Sequence, residues 1–179
     1  MRIMANTYDL IATNILSTTA TSVTFASIPS TYTDLILKTS ARMSNGGATD
    51  AVLDIELNGS TAANYSNTNF RGDGSAVASN RYTTGTGLSY WRFTYSMNGS
   101  ATTANTFNNT DIYIPRYTTS DYKIASNFSV LENNATGAGI SAGAALWQLT
   151  SAITQIKISC TSDTFASTSS FYLYGIKNS

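Results

Sequence analysis

A chain of 179 residues with no histidine, one cysteine and ten basic residues balanced by ten acidic ones is poorly equipped for most enzymatic chemistry. Acid–base catalysis near neutral pH relies mainly on histidine, metal sites rely on histidine and cysteine, and serine or cysteine nucleophiles are usually activated by histidine. Charged residues make up only 11% of the chain, so the basic surface of a nucleic-acid-binding or membrane-binding protein is also missing, and we predict a non-enzymatic protein without a cofactor.

The polar content is uncharged and compatible with β-structure. Ser, Thr and Asn together supply 68 of the 179 residues, while apolar residues reach 42%. That apolar share is too high for a disordered chain, and the length suits one domain with a core of its own. Because no linker or repeat interrupts the composition, we predict a single domain over residues 1–179, with residues 1–8 as an N-terminal arm.

The chain begins without a recognisable signal peptide. Arg2 is basic, but the polar residues of Met4 to Asp9 interrupt the apolar core that such a peptide requires. We therefore expect synthesis in the cytoplasm without a signal peptide, although the composition resembles that of exported proteins.

Segments with a period of two recur along the chain, and clusters of Ser, Thr, Asn and Gly separate them. The predicted strands are Leu10 to Leu16, Ser22 to Ile28, Leu35 to Arg42, Leu53 to Leu57, Tyr90 to Tyr95, Thr110 to Ile114, Tyr122 to Glu132, Ala144 to Leu149, Ile153 to Thr161 and Ser170 to Lys177. The stretch from Thr61 to Thr86 is weakly patterned. Ile140 to Ile153 is the best candidate for a helix, and we expect one short helix at most. About ten short strands predict an all-β fold, an antiparallel jelly-roll-like β-sandwich.

Two strands have a clearly assigned inner face. Leu53, Ile55 and Leu57 are expected to point inward, whereas Asp54 and Glu56 are expected to point into solvent. In the second strand, Cys160 alternates with Ile156 and Ile158, which predicts a buried and unreactive thiol. Asp50, Asp54 and Glu56 could supply oxygen ligands to Ca²⁺, but solvated charges are the better interpretation, and we predict no metal site.

Aromatic residues supply the candidate contact residues. In the segment 90–95, alternation places Trp91, Phe93 and Tyr95 on the inner face and Tyr90, Arg92 and Thr94 on the outer face. Tyr and Arg on an outward face are typical of an interface anchor or a sugar platform. We therefore single out Tyr90 and Arg92 as interface or glycan contacts, together with Trp147, for which a packed position beside Leu146 and Leu149 is the favoured interpretation.

Several segments, taken in order, resemble small structural proteins of tailed bacteriophages, notably those that infect cyanobacteria. They are Ser22 to Pro29, Thr31 to Leu37, Asp111 to Pro115, Leu146-Trp147 leading into Ile153 to Ile156, and Phe171 to Lys177. The resemblance spans most of the chain, although each segment alone is an ordinary strand and turn. It implies a virion component with a jelly-roll-like sandwich, and it transfers no functional residues.

The expected function follows from this resemblance and from the composition. We expect a capsid decoration or cement protein on the virion surface, made in the host cytoplasm, whose partners are copies of itself in a homotrimer and the major capsid protein. The alternative is a tail-fibre or receptor-binding domain that holds host glycans, with Tyr90, Trp91 or Trp147 stacking on sugar rings.

Overall fold

The structure, a computed structural model, describes residues 7–44, 46–82, 88–134, 138–161 and 163–177, and the regular elements within these ranges are all β-strands. The twelve strands of the described ranges are β1 (Tyr8–Ile15), β2 (Ser22–Phe25), β3 (Asp34–Ala41), β4 (Asp50–Leu57), β5 (Tyr65–Gly72), β6 (Val77–Tyr82), β7 (Trp91–Asn98), β8 (Asn108–Ile114), β9 (Lys123–Leu131), β10 (Gly139–Trp147), β11 (Ile156–Cys160) and β12 (Ser170–Ile176). Most of the predicted N-terminal arm, residues 1–6, lies outside the described residues, and Tyr8 already belongs to β1.

The strands form two antiparallel sheets. The larger sheet has the order β1-β12-β3-β8-β9-β10-β5-β6, and the smaller has the order β2-β11-β4-β7. Side chains from the inner faces of both sheets share one hydrophobic core. An all-β antiparallel sandwich is therefore confirmed.

All ten predicted strands are present, with their ends shifted by up to five residues, the largest shift being at the start of β10. The segment considered for a helix instead contains β10, which pairs with β9 on one side and β5 on the other. The two strands that the sequence did not predict, β5 and β6, form a hairpin within the weakly patterned stretch. None of the described residues lies in a helix that is long and apolar enough to cross a membrane.

The inner face of the smaller sheet is built as the alternation predicts. Leu53, Ile55 and Leu57 are fully buried, and Ile55 pairs in register with Ile158 of β11. Cys160 is buried beside them, and this burial raises the pKa of its thiol to about 12. The prediction of a buried, unreactive cysteine therefore agrees with its position in the core.

Candidate functional site

Arg92 points away from the core, but its side chain is already committed within the protein. Its Nε lies 3.0 Å from Asp54 Oδ1 and its Nη2 lies 3.1 Å from Oδ2, so the pair is bidentate. The same Nη2 donates to the hydroxyls of Tyr90 and Thr161, and the guanidinium lies 4.8 Å from the centroid of the Tyr90 ring. The hydrogen bonds to Asp54 are the largest cause of the raised pKa of Arg92. Tyr90 and Arg92 thus form an internal cluster with Asp54, whose evident role is structural.

Asp54 corrects one prediction directly. The sequence places it on a solvated face beside Glu56, but its side chain is only 5% exposed because Arg92 and Thr161 cover it. Glu56 remains on the outer side and pairs with Lys157 at 3.4 Å. The prediction of a solvated Asp54 is wrong because its partner Arg92, 38 residues away, is brought opposite by the pairing of β4 with β7.

Trp147 lies in the core rather than at the surface. Its ring is fully buried and lies 6.2 Å from that of Tyr65, centroid to centroid. Trp91 and Phe93 are also fully buried, as the alternation predicts, while the side chain of Tyr95 lies outside the described residues. The suggestion that Trp147 contacts a partner or a sugar conflicts with this burial, and the same holds for Trp91.

The tripeptide Arg71-Gly72-Asp73 leads into the turn between β5 and β6. The carboxylate of Asp73 accepts hydrogen bonds from the hydroxyl of Ser75 and from the backbone N–H groups of Ser75 and Ala76. The hydroxyl bond from Ser75 is the largest cause of the lowered pKa of Asp73, which is about 2. The acid therefore stabilises its own turn.

Metal-binding groups are not assembled in the described part of the chain. There, no group of three or more Cys, Asp or Glu side chains is placed to hold a metal ion. Asp54, one of the three acids that could have bound Ca²⁺, is instead held by Arg92.

Strand β9 departs in part from the arrangement that its hydrophobicity indicates: Ala125 and Leu131 are buried, but so are three polar residues, while two large apolar residues are exposed. Its inward positions include Lys123, Asn127 and Ser129, all buried, while Ile124 and Phe128 are 57% and 51% exposed on the outer face. An amphipathic strand normally buries its apolar residues, so an exposed apolar row above a buried polar one is the informative exception.

Most polar groups on the inner face of β9 make specific contacts, while the side-chain oxygen of Asn127 is buried without a hydrogen-bond partner among the described residues. Lys123 donates from Nζ to the carbonyls of Thr119 at 2.7 Å and Asp121 at 2.5 Å, and burial is the main cause of its lowered pKa. Asn127 donates to the hydroxyl of Ser129, which in turn contacts Thr110. This interior network holds β9 in a register that keeps Ile124 and Phe128 outward.

The neighbouring strands extend the exposed row into a surface. Register pairs across the outer face join Ile124 to Leu146, Phe128 to Ala142, Val130 to Ile140 and Ala142 to Phe70. We call this surface the apolar patch, and it consists of Phe70, Ile124, Phe128, Val130, Ile140, Ala142, Ala144 and Leu146. None of these side chains is charged.

The surface of the apolar patch contains two hollows. One hollow of about 340 Å³ lies over Phe70, Ala142 and Ala144, and a second of about 290 Å³ lies between Arg81, Ile124 and Leu146. Such a surface can interlock with the side chains of a partner.

Comparisons with known proteins add no relative. No protein-family model matches the chain, and the searches of curated proteins and of solved structures found no match.

Proposed function

We propose that this protein is a non-enzymatic structural component of a virus particle, a capsid decoration or cement protein on the outer shell of a tailed bacteriophage. The observation that carries the proposal is strand β9, which displays Ile124 and Phe128 above a buried polar network. Exposed apolar surfaces of this kind are typical of protein interaction sites. The function is then to bury this surface against other proteins of the particle.

The dimensions of the larger sheet suit such a role. Eight strands about 4.8 Å apart, each with about eight residues of about 3.3 Å, give an outer face of about 1,000 Å². A stable protein interface buries about 800 Å² on each partner. An interface centred on the apolar patch therefore reaches this size when it also includes the strand edges and loops next to the half of the face that the patch occupies.

The order of the strands supports assignment to the jelly-roll class. The set β1-β12-β3-β8 in one sheet and the set β2-β11-β4-β7 in the other correspond to the eight strands of two interleaved Greek keys. The pairs β5-β6 and β9-β10 are then insertions that widen the larger sheet beyond β8. Jelly rolls recur in viral capsid proteins, which fits the resemblance of Ser22 to Pro29 and Phe171 to Lys177 to phage structural proteins.

The partners that we propose are copies of the same chain, in a homotrimer, and the major capsid protein. The side chains of the patch itself are uncharged, so their burial removes no ions from water, and the nearby charges of Arg81 and Asp111 lie at its border. Repetition over the shell strengthens modest contacts, because many linked copies bind together. The proposed location is the virion surface.

The test is a double substitution in the apolar patch, Ile124→Ser with Phe128→Ser. Both side chains point outward, so the folded monomer should keep its melting temperature while light scattering shows the loss of the trimer and cryo-microscopy shows loss of the protein from the particle. The matched control is Tyr122→Ser, which removes an exposed aromatic residue just outside the patch. A wild-type protein that is monomeric at high concentration, and whose patch touches no other chain in the particle, would overturn the proposal.

A tail-fibre or receptor-binding domain that holds host glycans is the second candidate function. The residues first expected to stack on sugars do not favour it, because Trp91 and Trp147 are fully buried. A group of tyrosines on the outer face of the larger sheet does favour it.

A further inference from the structure

The other half of the outer face of the larger sheet has different chemistry from the apolar patch. On β1, β12, β3 and β8, a hollow of about 470 Å³ is lined by Tyr8, Ile36, Lys38, Asp111 and Tyr174. We call it the tyrosine hollow. Its volume is within the range of about 300–1,000 Å³ that is usual for ligand sites.

Charge in the tyrosine hollow is balanced, and of the two Asp111 carboxylate oxygens Oδ2 faces Lys38 while Oδ1 is buried without a hydrogen-bond partner among the described residues. Lys38 Nζ lies 2.5 Å from Asp111 Oδ2, and the two side chains are 44% and 47% exposed. Among the hydrogen bonds of the described residues, Lys38 uses one of its three N–H donors on this pair. A donor and an acceptor are thus presented side by side with no net charge.

Aromatic surface flanks the ion pair. Tyr8 is 55% exposed and Tyr174 is half-buried, so each offers part of a ring face together with a hydroxyl group. Tyr113 lies beside Ile36 in the register, and its hydroxyl donates to Asp34 at 2.9 Å. The lining residues come from four adjacent paired strands, so the hollow is formed before any ligand arrives, and little ordering is needed on binding.

We propose that the tyrosine hollow binds a neutral saccharide. A sugar ring has an apolar C–H face, which suits Tyr8 and Tyr174, and a rim of hydroxyl groups, which suits the donor of Lys38 and the acceptor of Asp111. Because the ion pair of Lys38 and Asp111 has no net charge, it favours neither an anionic nor a cationic ligand. The tyrosine hydroxyls and the ion pair also make this surface far more polar than the apolar patch, which argues against a purely hydrophobic occupant.

This proposal does not depend on a place in a virus particle, and its test is a binding experiment on the isolated protein. The probes are four neutral oligosaccharides, namely maltotetraose, cellotetraose, mannotetraose and chitotetraose. Amide and isoleucine-methyl NMR spectra are followed during each titration. At least one probe should shift the signals of Ile36, Lys38 and Asp111 in a saturable way.

Variants then locate the binding. Tyr174→Ala should raise the dissociation constant at least about tenfold, which corresponds to losing roughly 1.4 kcal/mol of ring contact. Asp111→Asn should also raise the dissociation constant, while leaving the shape of the hollow unchanged. The control is Tyr122→Ala, an exposed tyrosine outside the hollow, which should bind as the wild type does. The proposal is overturned if none of the four probes binds, or if Tyr174→Ala and Tyr122→Ala bind equally well.

Discussion

The side-chain amide of Asn67 makes two hydrogen bonds with the backbone of Arg92, donating to the carbonyl at 2.8 Å and accepting from the N–H at 3.1 Å. Arg92 lies in β7, the edge strand of the smaller sheet, so these backbone groups have no neighbouring strand on that side. Asn69 donates to the same carbonyl at 3.1 Å. Side chains of β5 in the larger sheet therefore close an open edge of the smaller one.

We predict that Asn67→Ala lowers the free energy of unfolding by about 1–3 kcal/mol, because the partly buried N–H of Arg92 loses its hydrogen-bond partner and the carbonyl of Arg92 keeps only Asn69. Denaturant titration measures the change. Asn80→Ala, at an exposed position on β6, is the control and should stay within about 0.5 kcal/mol of the wild type. Equal effects of the two substitutions would show that Asn67 does not stabilise the edge.

Asp54→Ala should destabilise the fold by about 3–5 kcal/mol, since it leaves the partly covered guanidinium of Arg92 without its carboxylate. The control is Asp9→Ala, which breaks a more exposed pair with Lys177 and should cost about 0–1 kcal/mol. Thermal and denaturant unfolding of both variants provide the comparison. If Asp54→Ala cost no more than Asp9→Ala, the pair with Arg92 would be no stronger than a surface contact.

Ile55→Asp should cost several kcal/mol because it places an unpaired carboxylate in the core. Glu56→Ala, one position along the same strand, removes a surface pair with Lys157 and should cost at most about 1 kcal/mol. Thermal melts that showed similar losses for both would contradict the register of β4 with β11.

Alkaline pH should destabilise the protein through Cys160 and Tyr65. Burial raises the pKa of each group to about 12, whereas the unfolded thiol and phenol titrate near about 8.5 and 10. Both raised values favour the protonated native state, so their contribution is complete below about pH 8.5 and is lost as the pH rises towards 12. Unfolding free energies measured at intervals from pH 7 to 11 should fall, and Tyr65→Phe should fall less steeply above about pH 10.

The same cysteine allows a separate check on redox and metal chemistry. Cys160→Ala should cost about 1 kcal/mol, the loss expected for a small buried side chain, and reductants or chelators should leave the melting temperature unchanged. A marked drop of the melting temperature in a chelator would reveal a bound ion.

Where inward residues are apolar, alternation predicted the strands, as Leu53, Ile55 and Leu57 illustrate. The hairpin of β5 and β6 escaped prediction because the inward residues of β5 include Asn67 and Asn69, which serve the backbone of β7 and give no hydrophobic period.

The apolar patch could not be predicted from the sequence for related reasons. β10 has apolar side chains on both faces, such as Ile140 outside and Trp147 inside, so no period of two appears. In β9 the period of two is present, but it does not show which face is buried. The buried network around Asn127 and Ser129 places these polar residues inside and leaves Ile124 and Phe128 outside. Local sequence cannot reveal such partners, because they lie on strands that are distant along the chain.

The alternating positions of β9 are also under two different structural constraints. Lys123, Asn127 and Ser129 are constrained by the interior, whereas Ile124 and Phe128 contribute little to it. Substitutions at the outward positions of β9 can therefore change the surface that meets a partner. The inward residues can stay the same, so the fold is preserved.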